Sequence, residues 1–203
     1  MLGKTHMMVG IASTLLVTQP DSLTELLTAS SAGAIGALIS DIDVDSSSSH
    51  RDANKVIFLA AAVIAGAVAA DYFANFGIIE NVINNGSIAK IIVGILLFLV
   101  VCAFGKETPH RSFMHSFTAL IILDAALILI YMPLTVYFTI GFLSHLVTDI
   151  FNKRKLKLFY PLKKGISFNL FHAKGVANTA FLIIGTAVTA IEVVVILFRI
   201  YVL

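Results

Sequence analysis

The chain has 203 residues, 58% of them hydrophobic and only 13% charged, with a net charge of +2 and a mean hydropathy of +0.95. Soluble domains carry about a quarter charged residues, so this composition excludes an ordinary soluble domain and points to a membrane protein. The single cysteine, Cys102, sits in an apolar run, which excludes an intramolecular disulfide and any cysteine-based zinc site.

The hydrophobic pattern predicts an all-α, polytopic membrane bundle, a single domain over 1–203 with about seven membrane-embedded helices. In chain order they cover roughly 5–18, 22–40, 55–76, 88–104, 113–131, 134–151 and 175–201. The first run follows a lone Lys4 and contains His6, without an A-x-A-like site, so no cleavable signal peptide is expected. It is short for a full span and is expected to tilt or to sit partly in the bilayer. Pro20-Asp21 ends the first helix, Asn84-Asn85-Gly86-Ser87 turns the third into the fourth, and Met132-Pro133 divides the fifth from the sixth. In the second helix Ala29, Gly33 and Ala37 recur at four-residue spacing, a small-residue face that lets helix backbones approach closely.

Alternating these helices across a membrane separates the cations. Lys4, Arg51, Lys55, Lys106, Arg111, Lys153, Arg154, Lys155, Lys157, Lys163, Lys164 and Lys174 fall on one side, and Lys90 and Arg199 on the other. Lys and Arg accumulate on the cytoplasmic side, so the N-terminus is expected inside the cell, in a bacterial cytoplasmic membrane, and the C-terminus outside.

The unusual polar residues gather on the same side. His6 opens helix one; Asp41 and Asp43 follow helix two, with Asp45, His50 and Arg51 soon after; His110, Arg111, His115 and Ser116 open helix five; Ser144, His145 and Asp149 close helix six. Each group has a plain structural explanation. His6 fits an interfacial ring, the Asp/Ser stretch fits a solvated loop, and His110 and His115 fit helix caps. The D-x-D-x-D start resembles a calcium loop, but Ser46 stands where that loop needs Gly and Asp52 where it needs Glu. His145 and Asp149 resist the plain reading. Their i, i+4 spacing stacks them on one face of an apolar helix, where ionisable groups are costly unless partnered.

Imidazoles and carboxylates without thiolates suit a divalent metal, zinc first, with manganese or iron as alternatives. His6, Asp41, Asp43, His115, His145 and Asp149 could hold one ion, or two with Asp149 or Asp41 bridging. Arg111 and Arg51 are candidates for gripping a phosphate with paired donors. His110 could orient the substrate, protonate the leaving group or act as a further ligand.

Five stretches occur in order: KTHMMVG, SDIDVDSSSSHR, HRSFMHS, GFLSHLVTDI and LFYPL. Together, over about residues 3–165, they resemble the YdjM-like family of LexA-regulated, inner-membrane metal-dependent hydrolases. The resemblance implies a helical inner-membrane protein whose hydrolase site comprises His6, Asp41, Asp43, His110, Arg111, His115, His145 and Asp149. The H-x-x-x-D element also looks like a ligand pair of zinc-dependent phospholipase C enzymes, which implies a phosphoester substrate. The family has Pro before the first Asp and His just after the second. Ser40 and Val44 stand there in this chain, leaving Asp45 as the candidate replacement ligand.

The stretch 152–165 interleaves six Lys or Arg with Leu, Phe and Tyr. Its snorkelling cations could simply fix topology, or could attract anionic lipid at about 1 kcal/mol per basic residue. Nucleic acid is not expected. Asp124 lies nine residues beyond His115, about 14 Å deeper, and is expected to bond a neighbouring helix rather than to join the metal site. The leading expectation is therefore a hydrolase acting on a lipid or lipid-linked phosphoester at the cytoplasmic face. A divalent-cation transporter using Asp124 or Glu192 deeper in the membrane, and a non-catalytic membrane adaptor, are the alternatives.

Overall fold

The computed structural model describes residues 1–43, 62, 65–66, 68–85, 87–172 and 175–202. Among them seven α-helices have defined ends: α1 Gly3–Thr18, α2 Leu23–Ile39, α3 Ile78–Asn85, α4 Ile88–Glu107, α5 Phe117–Tyr131, α6 Pro133–Ile150 and α7 Val176–Val202. Residues 68–74 are also helical, and short 3-10 turns cover Ser40–Asp43 and Phe113–His115. The described residues contain no strand, only isolated bridges pairing Asn152 with Phe171 and Leu156 with Ile166.

Local chemistry sets the helix ends. Ser22 caps α2 by accepting the Glu25 N–H at 3.2 Å, and Ser116 caps α5 by accepting the Ala119 N–H at 3.2 Å. Pro133 opens α6, where its missing N–H costs nothing. The fifth helix therefore begins after Ser116 and not at 113, because Phe113–His115 is a separate turn. The short α3 occupies a stretch expected to be loop, and the helix expected over 55–76 lies largely outside the described residues.

The expected number of membrane-crossing helices needs correction. Among the described residues three helical stretches are long and apolar enough to cross a bilayer: Leu23–Asp43, Ile88–Glu107 and Val176–Val202. The reason is partly length. With 16 and 15 residues, α1 and α5 extend only about 24 and 23 Å, against a hydrocarbon core of about 30 Å. The 18 residues of α6 include Ser144, His145, Thr148 and Asp149, which interrupt its apolar character near one end. Hydropathy counts a polar-ended helix as a span; the fold uses that polar end as a site.

The helices pack most extensively as α2 on α6, α1 on both α2 and α7, and α4 on α5. Small residues make the first contact possible. A Cβ on Gly141 would lie 2.1 Å from the Gly33 carbonyl oxygen, so the two backbones touch where neither residue has a side chain. One turn further along each helix, the His145 Nδ1–H donates to the Ala37 carbonyl at 2.7 Å. The glycine contact and the histidine bond thus lie in register, and both helices deliver their C-terminal ends to one place. Side chains such as Leu96 and Leu99 on α4 and Ile183 and Ile191 on α7 are exposed, as a lipid-facing surface requires.

Gly141→Leu should force α2 from α6 and destabilise the protein by about 1–3 kcal/mol or more. Thermal unfolding in detergent should show a Tm lowered by several degrees. An unchanged Tm would contradict the close contact.

Candidate metal centre

Four chain segments converge at the end of the bundle where α2 and α6 finish and α1 and α5 begin. α1 contributes His6, the 3-10 turn after α2 contributes Asp41 and Asp43, the segment before α5 contributes His110, Arg111 and His115, and the last turns of α6 contribute His145 and Asp149. All but His110 are at most 6% exposed. Arg51 and Asp45, the other sequence candidates, lie outside the described residues.

At the centre are two imidazoles. His145 Nε2 lies 3.2 Å from His115 Nε2. His145 gives its Nδ1 proton to the Ala37 carbonyl, so its Nε2 presents a lone pair. His115 gives its Nδ1 proton to Asp43 Oδ2 at 3.3 Å, so the hydrogen between the two Nε2 atoms belongs to His115, which donates from both nitrogens. Its titration agrees. Burial alone would pull the His115 imidazole down, but the carboxylates of Asp43 and Asp41 beside it outweigh that and hold it at about 9, above the ordinary 6.5.

Carboxylates surround this pair. Asp41 Oδ1 is 3.6 Å from His115 Nε2 and 3.7 Å from His145 Nε2, and Asp149 Oδ2 is 3.8 Å from His115 Nε2. Ligands of one tetrahedral zinc lie about 3.3–3.4 Å apart, given zinc–nitrogen bonds of about 2.0–2.1 Å. His115 Nε2, His145 Nε2 and Asp41 Oδ1 are within a few tenths of an ångström of that spacing. Ligand atoms of His6, Asp41 and His145, of Asp41, His110 and His115, and of His115, His145 and Asp149 fall within 4.8 Å of one another in each group, so the clusters could hold a metal ion.

His6 lies on the far side of His145, its ring stacked on it at 3.8 Å between centroids. The Thr148 hydroxyl lies within hydrogen-bond reach of backbone carbonyls of its own helix and 3.1 Å from His6 Nδ1. His6 Nε2 is left buried without a hydrogen bond, 3.3 Å from Asp149 Oδ1. A buried ring nitrogen this close to a carboxylate oxygen needs a proton or a cation between them.

The other candidates hold these ligands in place. Asp43 takes the His110 Nδ1 proton at 2.7 Å and the Arg111 backbone N–H at 3.2 Å, besides its bond to His115. Arg111 has the left-handed φ of +66°, a costly conformation for a residue with a side chain. In it the N–H meets Asp43, the carbonyl accepts the Lys157 N–H at 3.2 Å, and the guanidinium turns inward. There Nη2 binds Asp149 Oδ2 at 2.6 Å and Nη1 donates to the Arg154 carbonyl at 2.5 Å, while Nε is buried without a partner. Arg111 is therefore paired within the cluster and not held out toward solvent. His110, with its side chain 25% exposed, is the member of the set nearest to water.

Three participants have no sequence signature of their own. The Asn152 amide donates to Asp149 Oδ1 at 2.7 Å, the Met1 amino group lies 2.8 Å from the same oxygen, and Thr148 orients His6. Asn152 and Thr148 stand three residues after Asp149 and His145 respectively, the helical spacing at which a search for supporting groups could have found them. The deeper acids stay apart from the cluster: Asp124 accepts from the Thr139 hydroxyl at 2.9 Å and Glu192 from the Gln19 amide at 2.7 Å.

Asp43→Asn should lower the His115 pKa from about 9 toward the ordinary 6.5. At pH 8 the metal-free variant should then hold less of the protonated ring than the metal-free parent, a difference that histidine-labelled NMR resolves. An unmoved titration would remove Asp43 as the cause.

No curated protein and no solved structure matches this chain. A family model described as YdjM inner membrane protein matches residues 1–203. That match over the whole chain agrees with the helices and motifs above, and the chain belongs to the YdjM inner membrane protein family.

Proposed function

We propose that this protein is a metal-dependent hydrolase of a lipid or lipid-linked phosphoester, working at the cytoplasmic face of the membrane. The observation that carries this reading is the pair of Nε2 atoms of His115 and His145 at 3.2 Å, with Asp41 Oδ1 within 3.7 Å of both. A mixed nitrogen and oxygen donor set suits zinc, with manganese or iron as alternatives. Asp41, His115, His145 and Asp149 would hold the ion, and His6 Nε2 with Asp149 Oδ1 offers donors for a second. A bound ion would supply a water acidic enough to give hydroxide near neutral pH and would polarise a phosphoryl oxygen.

The chain's own groups account for the rest. Asp43 fixes the tautomer of His115 and of His110, as carboxylates behind metal-binding imidazoles commonly do. His110 is the most accessible imidazole of the set, and with Nδ1–H held by Asp43 its Nε2 would take up a proton from water and deliver it to a departing alkoxide. Arg111, with an unpartnered buried Nε, would exchange part of its bonding with Asp149 for phosphate oxygens.

The segment after α6 extends the site toward the membrane surface. Lys153, Arg154, Lys155, Lys163 and Lys164 are exposed, and so are Phe159, Leu162, Phe168 and Leu170. This mix suits the interface of an anionic leaflet, where cations meet headgroups and rings enter the acyl boundary. The excess of Lys and Arg in this segment supports a cytoplasmic position for that surface.

Zinc-loaded protein in nanodiscs should release phosphate or headgroup from lipid phosphoesters. The His145→Ala variant should turn over at background rate while still entering the membrane and purifying in the same amount. Asp43→Asn should lose about 10–100-fold in activity or metal affinity. Full turnover by His145→Ala would refute the site.

A further inference from the structure

The bundle holds a second feature that this chemistry does not use. A partly open cavity of about 270 Å³ lies between α2, α4, α5 and α6, with Val68 of the helical residues 68–74 on its rim. Its lining includes Thr28, Ile35, Phe98, Ile130, Leu134 and Phe138 and has no charged side chain. Thr28, one of its few polar residues, already donates its hydroxyl to the Thr24 carbonyl at 2.7 Å. Water needs two to four polar partners to stay in such a space, which this wall does not offer.

The position of the cavity relates it to the polar cluster. α2 and α6 run alongside each other and both end at the ligands. Ile35 precedes Asp41 by six residues and Phe138 precedes His145 by seven, so the cavity begins about 9–11 Å from the cluster, measured along the helices. From Ile35 it continues back to Thr28, about 10 Å further along α2. Its length therefore follows the helices and not the membrane plane. An apolar crevice opening from a bundle in the bilayer meets hydrocarbon, and leaving it empty would forfeit dispersion contacts on every wall.

We propose that this cavity binds one hydrocarbon chain of a membrane phospholipid, with the phosphate end of that lipid directed toward Asp41 and His145. Chain binding stands on the cavity and on the membrane location. That the delivered headgroup is hydrolysed rests on the function proposed above. Such a subsite makes a hydrophobic anchor part of substrate recognition, so a water-soluble phosphoester with the same headgroup would be a poorer ligand.

The protein has no tryptophan, so a single introduced one reports on its own surroundings. Leu134→Trp, and independently Phe98→Trp, place the reporter in the cavity wall. Leu96→Trp places a control on the exposed face of α4, where Leu96 is 56% exposed. Each variant in detergent micelles is titrated with phosphatidylglycerol brominated on its acyl chains, which quenches tryptophan on contact. The cavity reporters should be quenched saturably at about one lipid per protein, and the control only at large lipid excess. Equal lipid dependence at all three positions would mean ordinary annular contact and would overturn the proposal. Unquenched cavity reporters would also overturn it, showing the space closed to lipid. Quenching needs no turnover, so the result is readable even if the protein proves hydrolytically silent. That silence would count against the hydrolase alone.

Discussion

Three carboxylates, Asp41, Asp43 and Asp149, are buried at one end of an otherwise apolar bundle, and each must be neutralised there. A carboxylate withdrawn from water is tolerated only when paired and hydrogen-bonded. The fold meets this with Arg111 and the Met1 amino group on Asp149 and with the His115 imidazolium between Asp41 and Asp43. Three negative charges face three positive ones. The arrangement depends on helices packed closely enough for the groups to touch, and the backbone contact of Gly33 with Gly141 provides that approach. Stability of the bundle and geometry of the site are therefore one problem.

The same pairing indicates what the cluster can exchange. The proton between the Nε2 atoms of His115 and His145 occupies the position where two imidazoles would share a cation, and Asp41 Oδ1 is spaced from both almost as a zinc ligand is. Uptake of a divalent ion at pH 7 would expel that proton, as metal binding to protonated ligands must. Location argues against transport. The donors gather at one helix end, while the acids deeper in the bundle are already bonded by Thr139 and Gln19. A pathway would place its ligands near the bilayer midplane between broken helices.

Much of this was legible in the residues. The i, i+4 pair His145 and Asp149 in an apolar helix announced a partnered cluster, and alternating the helices across the membrane brought His6, Asp41 and His115 to the same end. The small residues Ala29, Gly33 and Ala37 marked the face of α2 that packs closely. What escaped has physical causes. Apolar runs do not show where a helix becomes too short or too polar-ended to span, so about seven membrane-embedded helices were expected where three helices among the described residues qualify as spans. Residue type cannot separate a carboxylate facing a metal from one facing the back of an imidazole, and Asp43 occupies the second position. Arg111 reads as a free phosphate grip until its left-handed backbone turns it onto Asp149. The carbonyls of Ala37 and Arg154, which hold His145 and Arg111, carry no residue signature at all.

Elemental analysis of the purified protein, beside a His145→Ala/Asp149→Ala double variant prepared in parallel, tests the central claim most directly. One or two zinc, manganese or iron ions per chain in the parent, absent from the variant, is the predicted result. Equal metal content in the two, or none in the parent after resupply with each ion, would contradict a metal centre built from these histidines and carboxylates.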